Sequence, residues 1–344
     1  MRCLALAEWA KDLGIDVVLI TKFTSELIEV KVKQLGGELI LIPESSDASG
    51  GDYSHSSWLK GSENQDALLS LGVIEELCKI RDGVPPLFIM VDHYALGAPW
   101  ERLLKQLSPV FVIDDLSDRQ HDCQWLLDQT FGKRASDYGG LVSPNTRLFV
   151  GAQYALLRKE FALLSAKNNR EFPKGKLRIL VSLGGVDNQN YASRIVKQLL
   201  SIDPNKNFEI SIVSGGLNPN IEQLKVLAEN NQNTKLFVDA TNMAELMLSH
   251  HLCIGAAGST TWERFAMSLP SILCVIADNQ ISAARNLEEA NLVRVVNIDS
   301  ENLQCELAEY INYFACPSVY QENMDHISSV CDGMGARRIL DEIL

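Results

Sequence analysis

Leu252-Cys253-Ile254-Gly255-Ala256-Ala257-Gly258-Ser259-Thr260-Thr261-Trp262-Glu263 is the stretch whose reading decides the fold. An apolar run of strand length, Leu252 to Gly255, breaks into a small-residue turn that opens a helix. Glycine lets a backbone come close to a ligand, and unpaired amides at a helix start hold a diphosphate without any cationic side chain. Ser259 and Thr260 add hydroxyls. Glu263 stands one turn into the helix, where a carboxylate can take the two hydroxyls of a ribose. The same residues read equally well as an ordinary turn in which Ser or Thr caps a helix. Taken alone, the segment leaves both readings open.

Moving outward, strand-length apolar runs recur at Leu177 to Ser182, Glu209 to Val213, Lys235 to Val238, Ser271 to Ile276 and Val293 to Ile298, with helical patterns between them. That alternation predicts a parallel sheet covered by helices on both faces. Two further glycine turns follow strands here, Leu183-Gly184-Gly185-Val186-Asp187 and Ser214-Gly215-Gly216. Three such turns at carboxyl ends of strands fall on the ligand-binding rim of an open α/β sheet. Ala277-Asp278-Asn279-Gln280 ends another strand on that rim; Asn and Gln suit sugar hydroxyls or acetamido groups, and equally a simple helix cap. Neither half carries GxGxxG at its first turn, and GxxxxGK[ST] is absent, which argues against a dinucleotide enzyme and an ATPase.

The first half repeats the plan, with strands at Val17 to Ile20, Glu38 to Ile42, Leu87 to Val91 and Val110 to Ile113. Helices are expected over Leu27 to Leu35, Asn64 to Ile80 and Trp100 to Leu107. Residues 44 to 64 form a polar loop carrying three candidate working side chains, Asp52, Tyr53 and His55. Asp92-His93-Tyr94 and Asp114-Asp115 follow strands, so their side chains are expected at the binding rim, to orient a sugar or carry protons. Adjacent aspartates also suit magnesium, but no third ligand is supplied and no metal is expected. Loop-fixing hydrogen bonds are the alternative role for the two. His250 and His251 precede a strand, on the opposite rim, and are read with His326 as structural. The hinge between two domains, 1–172 and 173–344, is expected at Phe172 to Lys176, with the final helix either closing the second domain or crossing back.

The whole-chain balance fits these readings. In 344 residues, 31 Lys and Arg stand against 44 Asp and Glu, a net charge of −13, which excludes bulk attraction to nucleic acid or anionic lipid. No apolar run approaches the roughly 18 residues of a membrane span, and no signal peptide is recognisable. Eight scattered cysteines without a CxxC pair read as reduced thiols of a cytoplasmic protein. No GxSxG elbow is present. The first predicted element, a helix from Met1 to Leu13, is unusual, because an open α/β domain is expected to begin with a strand. A first strand with roughly 15 to 25 residues is therefore expected ahead of it.

The combination resembles the UDP-sugar hydrolases of pseudaminic acid biosynthesis, relatives of the MurG-like glycosyltransferases. The matching residues are Arg2-Cys3-Leu4-Ala5-Leu6-Ala7, Trp58 with Gln65-Asp66-Ala67, Val91-Asp92-His93-Tyr94 with Trp100-Glu101, and Ile113-Asp114-Asp115-Leu116 with Arg119, His121 and Asp122. They continue with Tyr154-Ala155-Leu156-Leu157-Arg158 and Phe161, Ser182-Leu183-Gly184-Gly185 with Asp187 and Asn190, Gly258-Ser259-Thr260 with Trp262-Glu263, and Ala277-Asp278-Asn279-Gln280. The resemblance implies a GT-B fold, two Rossmann-like domains facing a cleft, the first N-terminally incomplete in this sequence. It implies a UDP pocket at Gly258, Ser259, Thr260 and Glu263, sugar- and diphosphate-side residues Tyr94, Asp187, Asn279 and Gln280, and Asp92 as a catalytic residue. The family's water-activating histidine lies in a Gly-x-Gly-His loop directly before the RCLxLA segment, ahead of Met1. Ala257 stands where the family usually has glycine. The implied reaction is hydrolysis of a UDP-linked 2,4-diacetamido-2,4,6-trideoxyhexose by a monomer without cofactor, on a surface-glycan or flagellar pathway. The alternatives are a UDP-sugar glycosyltransferase and a non-catalytic UDP-sugar-binding remnant.

Overall fold

The computed structural model describes residues 2–44, 53, 55–168 and 170–344, with the side chain of Asn279 outside the described set. Asp52 lies outside it as well. The chain divides into two compact units: residues Met1–Arg158 with Gly335–Leu344, and Lys159–Met334.

The first unit runs α1 (Arg2–Asp12), β1 (Val18–Thr21), α2 (Glu26–Gln34), β2 (Glu38–Leu41), α3 (Glu63–Ile80), β3 (Ile89–Val91), α4 (Ala98–Leu104), β4 (Val110–Ile113), β5 (Trp125–Asp128) and β6 (Arg147–Val150). Ser25 and Ser62 begin α2 and α3 by accepting from the amides of Ile28 and Gln65. Strands β3-β4-β5-β6 form one parallel sheet, while β1 and β2 pair in parallel as a separate ladder. Ile20 of β1 nevertheless packs on the core formed by Ile89, Val91, Val110, Val112 and Leu126. Strands β5 and β6 were absent from the sequence expectation. Each is only four residues long and begins or ends on a polar side chain, Asp128 or Arg147, so neither reads as a continuous apolar run.

The second unit contains α5 (Lys159–Ser165), β7 (Leu177–Ser182), α6 (Tyr191–Ile202), β8 (Phe208–Ser214), α7 (Ile221–Glu229), β9 (Thr234–Val238) and α8 (Met243–Ser249). It continues with β10 (Leu252–Ala256), α9 (Thr260–Ala266), β11 (Ser271–Val275), α10 (Ile281–Glu289), β12 (Arg294–Asn297), α11 (Leu303–Phe314) and α12 (Pro317–Val330). Its six strands are all parallel in the order β12-β11-β10-β7-β8-β9. The strand order reverses between β7 and β10, the point at which open α/β sheets bind ligands. Every side chain of β10 is buried, and Ile179, Val181, Ile254 and Ile272 are fully enclosed by the surrounding helices.

The division between units falls at Lys159 rather than at Phe172 to Lys176. Residues 159–172 lie on the second unit because α5 packs on α8 and α9. Arg170 Nη2 donates to the carbonyls of Met247 (2.8 Å) and Met267 (3.0 Å), and Asn168 Nδ2 donates to Met267 O at 2.9 Å. These donors satisfy helix-terminal carbonyls of α8 and α9. The last helix, α13 (Gly335–Ile343), belongs to the first unit and packs on α1. A Cβ at Gly335 would stand 2.5 Å from Ala155 O, so only glycine admits this return. Among the described residues no helix is long and apolar enough to cross a membrane, and no disulfide joins any of the eight cysteines.

Because β10 lies inside the sheet, Ile254→Ala leaves a cavity that neighbours on both sides cannot fill. The substitution is expected to lower the stability of the second unit by about 2–5 kcal/mol in urea denaturation.

Candidate functional site

The order β10-β7-β8 makes the three glycine turns neighbours on one rim. Gly185 O accepts from Gly215 N at 3.1 Å, and a Cβ on Gly215 would meet that oxygen at 2.5 Å. Gly184 adopts φ +105°, a conformation open to glycine and strained for other residues. Asp187 is buried, and its two oxygens accept from the amides of Tyr191 (2.9 Å) and Ala192 (2.7 Å) at the start of α6. Its observed partners are thus helix-cap amides, and it fixes the turn from behind.

The turn after β10 is braced from below by Arg264, which sequence reasoning passed over. Its guanidinium is fully buried, donates to Ala256 O (2.9 Å) and Thr261 Oγ1 (2.8 Å), and reaches Thr260 Oγ1 at 3.3 Å. No carboxylate pairs with it among the described residues. Gly255 is the condition for this placement, since a Cβ there would stand 2.5 Å from Arg264 Nη1 and 2.9 Å from Ser182 O. The signal in the sequence was the i, i+3 and i+4 spacing of Thr260, Thr261 and Arg264 on one short helix.

Above this brace the backbone is open. Thr261 N and Trp262 N turn back to Gly258 O (2.9 Å) and Ser259 O (3.2 Å), whereas the amides of Gly258, Ser259 and Thr260 have no backbone partner among the described residues. Gly258 and Ser259 are exposed, and a Cβ on Gly258 would meet nothing within 4 Å. Glu263 is half-buried, and Ala257 is buried against β11 through its amide, which donates to Cys274 O at 3.2 Å. On the adjoining turn, Gln280 Oε1 accepts from Ile276 N at 3.2 Å, closing the end of β11. The backbone of Asn279 belongs to a single 3₁₀ turn, Asp278–Gln280.

In the first unit the carboxyl ends of β3 and β4 carry a second polar cluster. Arg2 at the start of α1 forks between two carboxylates, with Nη2 2.5 Å from Asp92 Oδ1 and Nη1 2.9 Å from Asp115 Oδ2. Burial pushes the Arg2 guanidinium down, and its bond to Asp92 and the charges of Asp92 and Asp115 more than reverse that, so it stays cationic. The Tyr94 hydroxyl is pushed up to about 12 by burial and by hydrogen bonding to Asp115. His93 is lowered by burial, and its Nδ1 accepts from Ala95 N at 3.1 Å. His250 and His251 lie at the opposite ends of the strands. His250 Nδ1 lies 2.6 Å from Leu246 O, and His251 accepts from Arg178 N at 3.0 Å.

Asp114 and Asp115 face opposite surroundings. Asp114 is fully buried and accepts from Arg119 Nη1 (2.8 Å), Ser117 N (2.9 Å) and the Tyr138 hydroxyl (3.1 Å). Burial would raise its pKa, but contacts with His121, Arg119 and Ser117 hold it far below the usual carboxylate range. Burial lowers His121, while Asp114 and Glu101 together raise it. Glu101 supplies the formed bond at 2.6 Å, whereas His121 Nε2 stays 3.8 Å from Asp114 Oδ2, an ionic rather than a hydrogen-bonded distance. The pair therefore splits into one loop-fixing and one surface-facing aspartate. Among the described residues no group of three or more His, Cys, Asp or Glu side chains is placed to hold a metal ion.

Comparison with known proteins bears on the family and the fold. Residues 179–342 match the glycosyltransferase family 28 C-terminal domain. A Campylobacter jejuni UDP-2,4-diacetamido-2,4,6-trideoxy-beta-L-altropyranose hydrolase is 32% identical over 197 residues, 57% of this chain and 69% of that protein. The structure of Acinetobacter baumannii MurG superposes with a TM-score of 0.65 at 12% identity, covering 99% of this chain and 94% of MurG. The Neisseria meningitidis UDP-GlcNAc 2-epimerase bound to UDP-GlcNAc gives 0.63 at 13% identity, covering 100% and 97%. These structural likenesses place the fold in the GT-B class.

The His121 contacts generate a pH dependence with a definite sign. A histidine raised on folding stabilises fully below its free value of 6.5 and loses that contribution as pH rises through the higher folded value. His121→Phe leaves Glu101 buried without its partner, and is expected to cost about 3–5 kcal/mol at pH 6. The difference from the unaltered protein narrows in denaturant titrations as pH is raised well above 6.5; a constant difference overturns the assignment.

Proposed function

The chain belongs to the family of UDP-2,4-diacetamido-2,4,6-trideoxy-beta-L-altropyranose hydrolases, and on that premise we propose that it hydrolyses a UDP-linked 2,4-diacetamido-2,4,6-trideoxyhexose at the anomeric carbon. The products are UDP and the free sugar, which enters pseudaminic acid biosynthesis in the cytoplasm. The observation that carries the reading is the 32% identity, supported by an exposed turn at the reversal point of the second sheet whose amides suit a diphosphate. Gly258, Ser259 and Thr260 take the diphosphate, and Glu263 takes the ribose hydroxyls. Gln280 and Asn279 border that turn on the neighbouring strand end, and Asp187 keeps the β7 turn in shape.

Water attacks C1 on the face opposite UDP. Its oxygen forms the new bond, the C1–oxygen bond to the diphosphate breaks with its electron pair going to UDP, and the water proton goes to a base. UDP is a competent leaving group, so the site has to stabilise charge growing on the diphosphate and to align the water. Turn amides over the buried Arg264 supply the first. Asp92 supplies orientation, because its salt bridge to Arg2 fixes its side chain at a strand end, with Tyr94 adjacent. In the family that the sequence resembles, the general base belongs to a Gly-x-Gly-His loop before the segment matched here by Arg2 to Ala7. The contacts of Arg2 hold the start of α1 against Asp92 and Asp115.

A second reading, a UDP-sugar glycosyltransferase, is favoured by the family 28 match over 179–342. The two differ in product. Incubation with the UDP-linked diacetamido sugar in water is expected to release UDP and a reducing sugar in equal amounts without an acceptor. Release that depends on an added acceptor overturns the hydrolase reading.

Two substitutions separate the roles. Glu263→Ala is expected to weaken UDP binding by about 1.5–3 kcal/mol in calorimetry, the worth of hydrogen bonds to a charged group. Asp92→Asn is expected to leave UDP affinity unchanged and to reduce sugar release at saturating substrate.

A further inference from the structure

We propose that Trp58, backed by His55 and Tyr94, is the docking face for the acetamido and methyl groups of the sugar and sets which UDP-sugar is accepted. The proposal rests on the UDP-sugar reading above and extends it to a residue to which that reading gives no role.

Trp58 lies in a single 3₁₀ turn, Ser56–Leu59. Successive side chains of such a turn point about 120° apart, so burying one residue turns the next outward. Leu59 is 4% exposed, in the core with Ala67, Ile74 and Ile89, whereas Trp58 is 57% exposed. The turn is pinned at both ends. Ser56 Oγ accepts from Tyr53 N at 2.9 Å, and Lys22 Nζ donates to Leu59 O at 2.9 Å. Lys22 is itself fixed by Asp66 at 2.8 Å, and Asp66 accepts from Trp100 Nε1 at 2.8 Å. The outward indole is thus held by buried contacts below it.

Its neighbours are aromatic. The Trp58 ring centroid lies 4.6 Å from that of His55 and 5.9 Å from that of Tyr94, and His55 and Tyr94 are 5.6 Å apart. Tyr94 continues the face to the polar cluster, with Arg2 6.0 Å from its ring centre and Asp115 against its hydroxyl. An apolar platform therefore borders two carboxylates at the strand ends. A hexose with two acetamido groups and a deoxy C6 matches that pairing. It presents three methyl groups and two flat amides for the rings, and hydroxyl and amide N–H donors for the carboxylates. A sugar with one acetamido group and a C6 hydroxymethyl offers less to the indole and brings a hydroxyl that the rings cannot pair.

The test titrates the whole chain separately with UDP, with the free 2,4-diacetamido-2,4,6-trideoxyhexose, and with N-acetylglucosamine. The unaltered protein is expected to bind UDP and to prefer the diacetamido sugar. Trp58→Ala is expected to lose at least tenfold in affinity for that sugar and most of the preference, with UDP affinity within twofold. Trp58→Phe, which keeps an aromatic face, is expected to stay within threefold for the sugar. Unchanged sugar binding in Trp58→Ala overturns the proposal, as does equal loss of UDP and sugar, which marks a merely structural residue. An unaltered protein that binds UDP but not the sugar also overturns it and leaves the UDP site standing. Binding of neither overturns the UDP-sugar reading itself.

Discussion

A buried guanidinium to which no described residue offers a carboxylate is the constraint around which the second unit is arranged. Arg264 is 0% exposed and is held by one backbone carbonyl and two threonine hydroxyls. Enclosing a cation costs several kcal/mol unless its donors are met, so the residues around it have little freedom. Gly255 must lack a side chain, Thr260 and Thr261 must carry hydroxyls, and Ala256 must end its strand with the carbonyl turned inward. Those requirements fix the turn of backbone that follows β10. The exposed amides of Gly258, Ser259 and Thr260 are held in place by an interaction that lies wholly beneath them.

The first unit uses the same device with charges of both signs. Asp114 and Arg119 are both buried, with Glu101, His121, Tyr138 and Asp128 around them, and the cluster ties the loops after β3 and β4 to β5. Arg119 Nε also donates to Leu96 O at 2.8 Å, linking the two strand ends through one side chain. With Asp114 committed inward, its neighbour Asp115 is left to the surface and to Arg2. One of two adjacent carboxylates thus orders the loop from within, while the other faces the surface and pairs with Arg2.

The second sheet was legible because its strands are buried on both faces, so Leu177 to Ser182 and Leu252 to Gly255 read as unbroken apolar runs. The same criterion missed β5 and β6, whose four-residue spans end on Asp128 and begin on Arg147. It also misplaced the boundary between units. Pro173 and Gly175 look like a hinge, but the tethering of Arg170 and Asn168 to helix ends is a long-range contact that local composition does not encode. At the candidate site the glycine turns and the Asp92 to Tyr94 segment stood out because their residue types are unusual after strands. Arg264 did not, because arginine on a helix reads as a solvated side chain until a neighbouring glycine shows where the guanidinium goes. For Asp187, position after a strand gave the correct rim, while its bonds to Tyr191 N and Ala192 N depend on backbone geometry.

A net charge of −13 opposes the proposed anionic ligand at long range, and the resolution lies in distance. At physiological ionic strength the field of exposed charges is screened within about 8 Å, so most of the surface carboxylates contribute little at the turn after β10. The local groups act at contact range, and the cation nearest to them is enclosed. A charge in the interior is screened far less than one in water. The Arg264 guanidinium therefore adds its field to that of the amides above it, while scattered acidic side chains lose theirs to salt. An acidic surface and the proposed diphosphate site are compatible because the turn carries its positive potential underneath, in dipoles and one buried ion, rather than on exposed lysines that neighbouring carboxylates would neutralise.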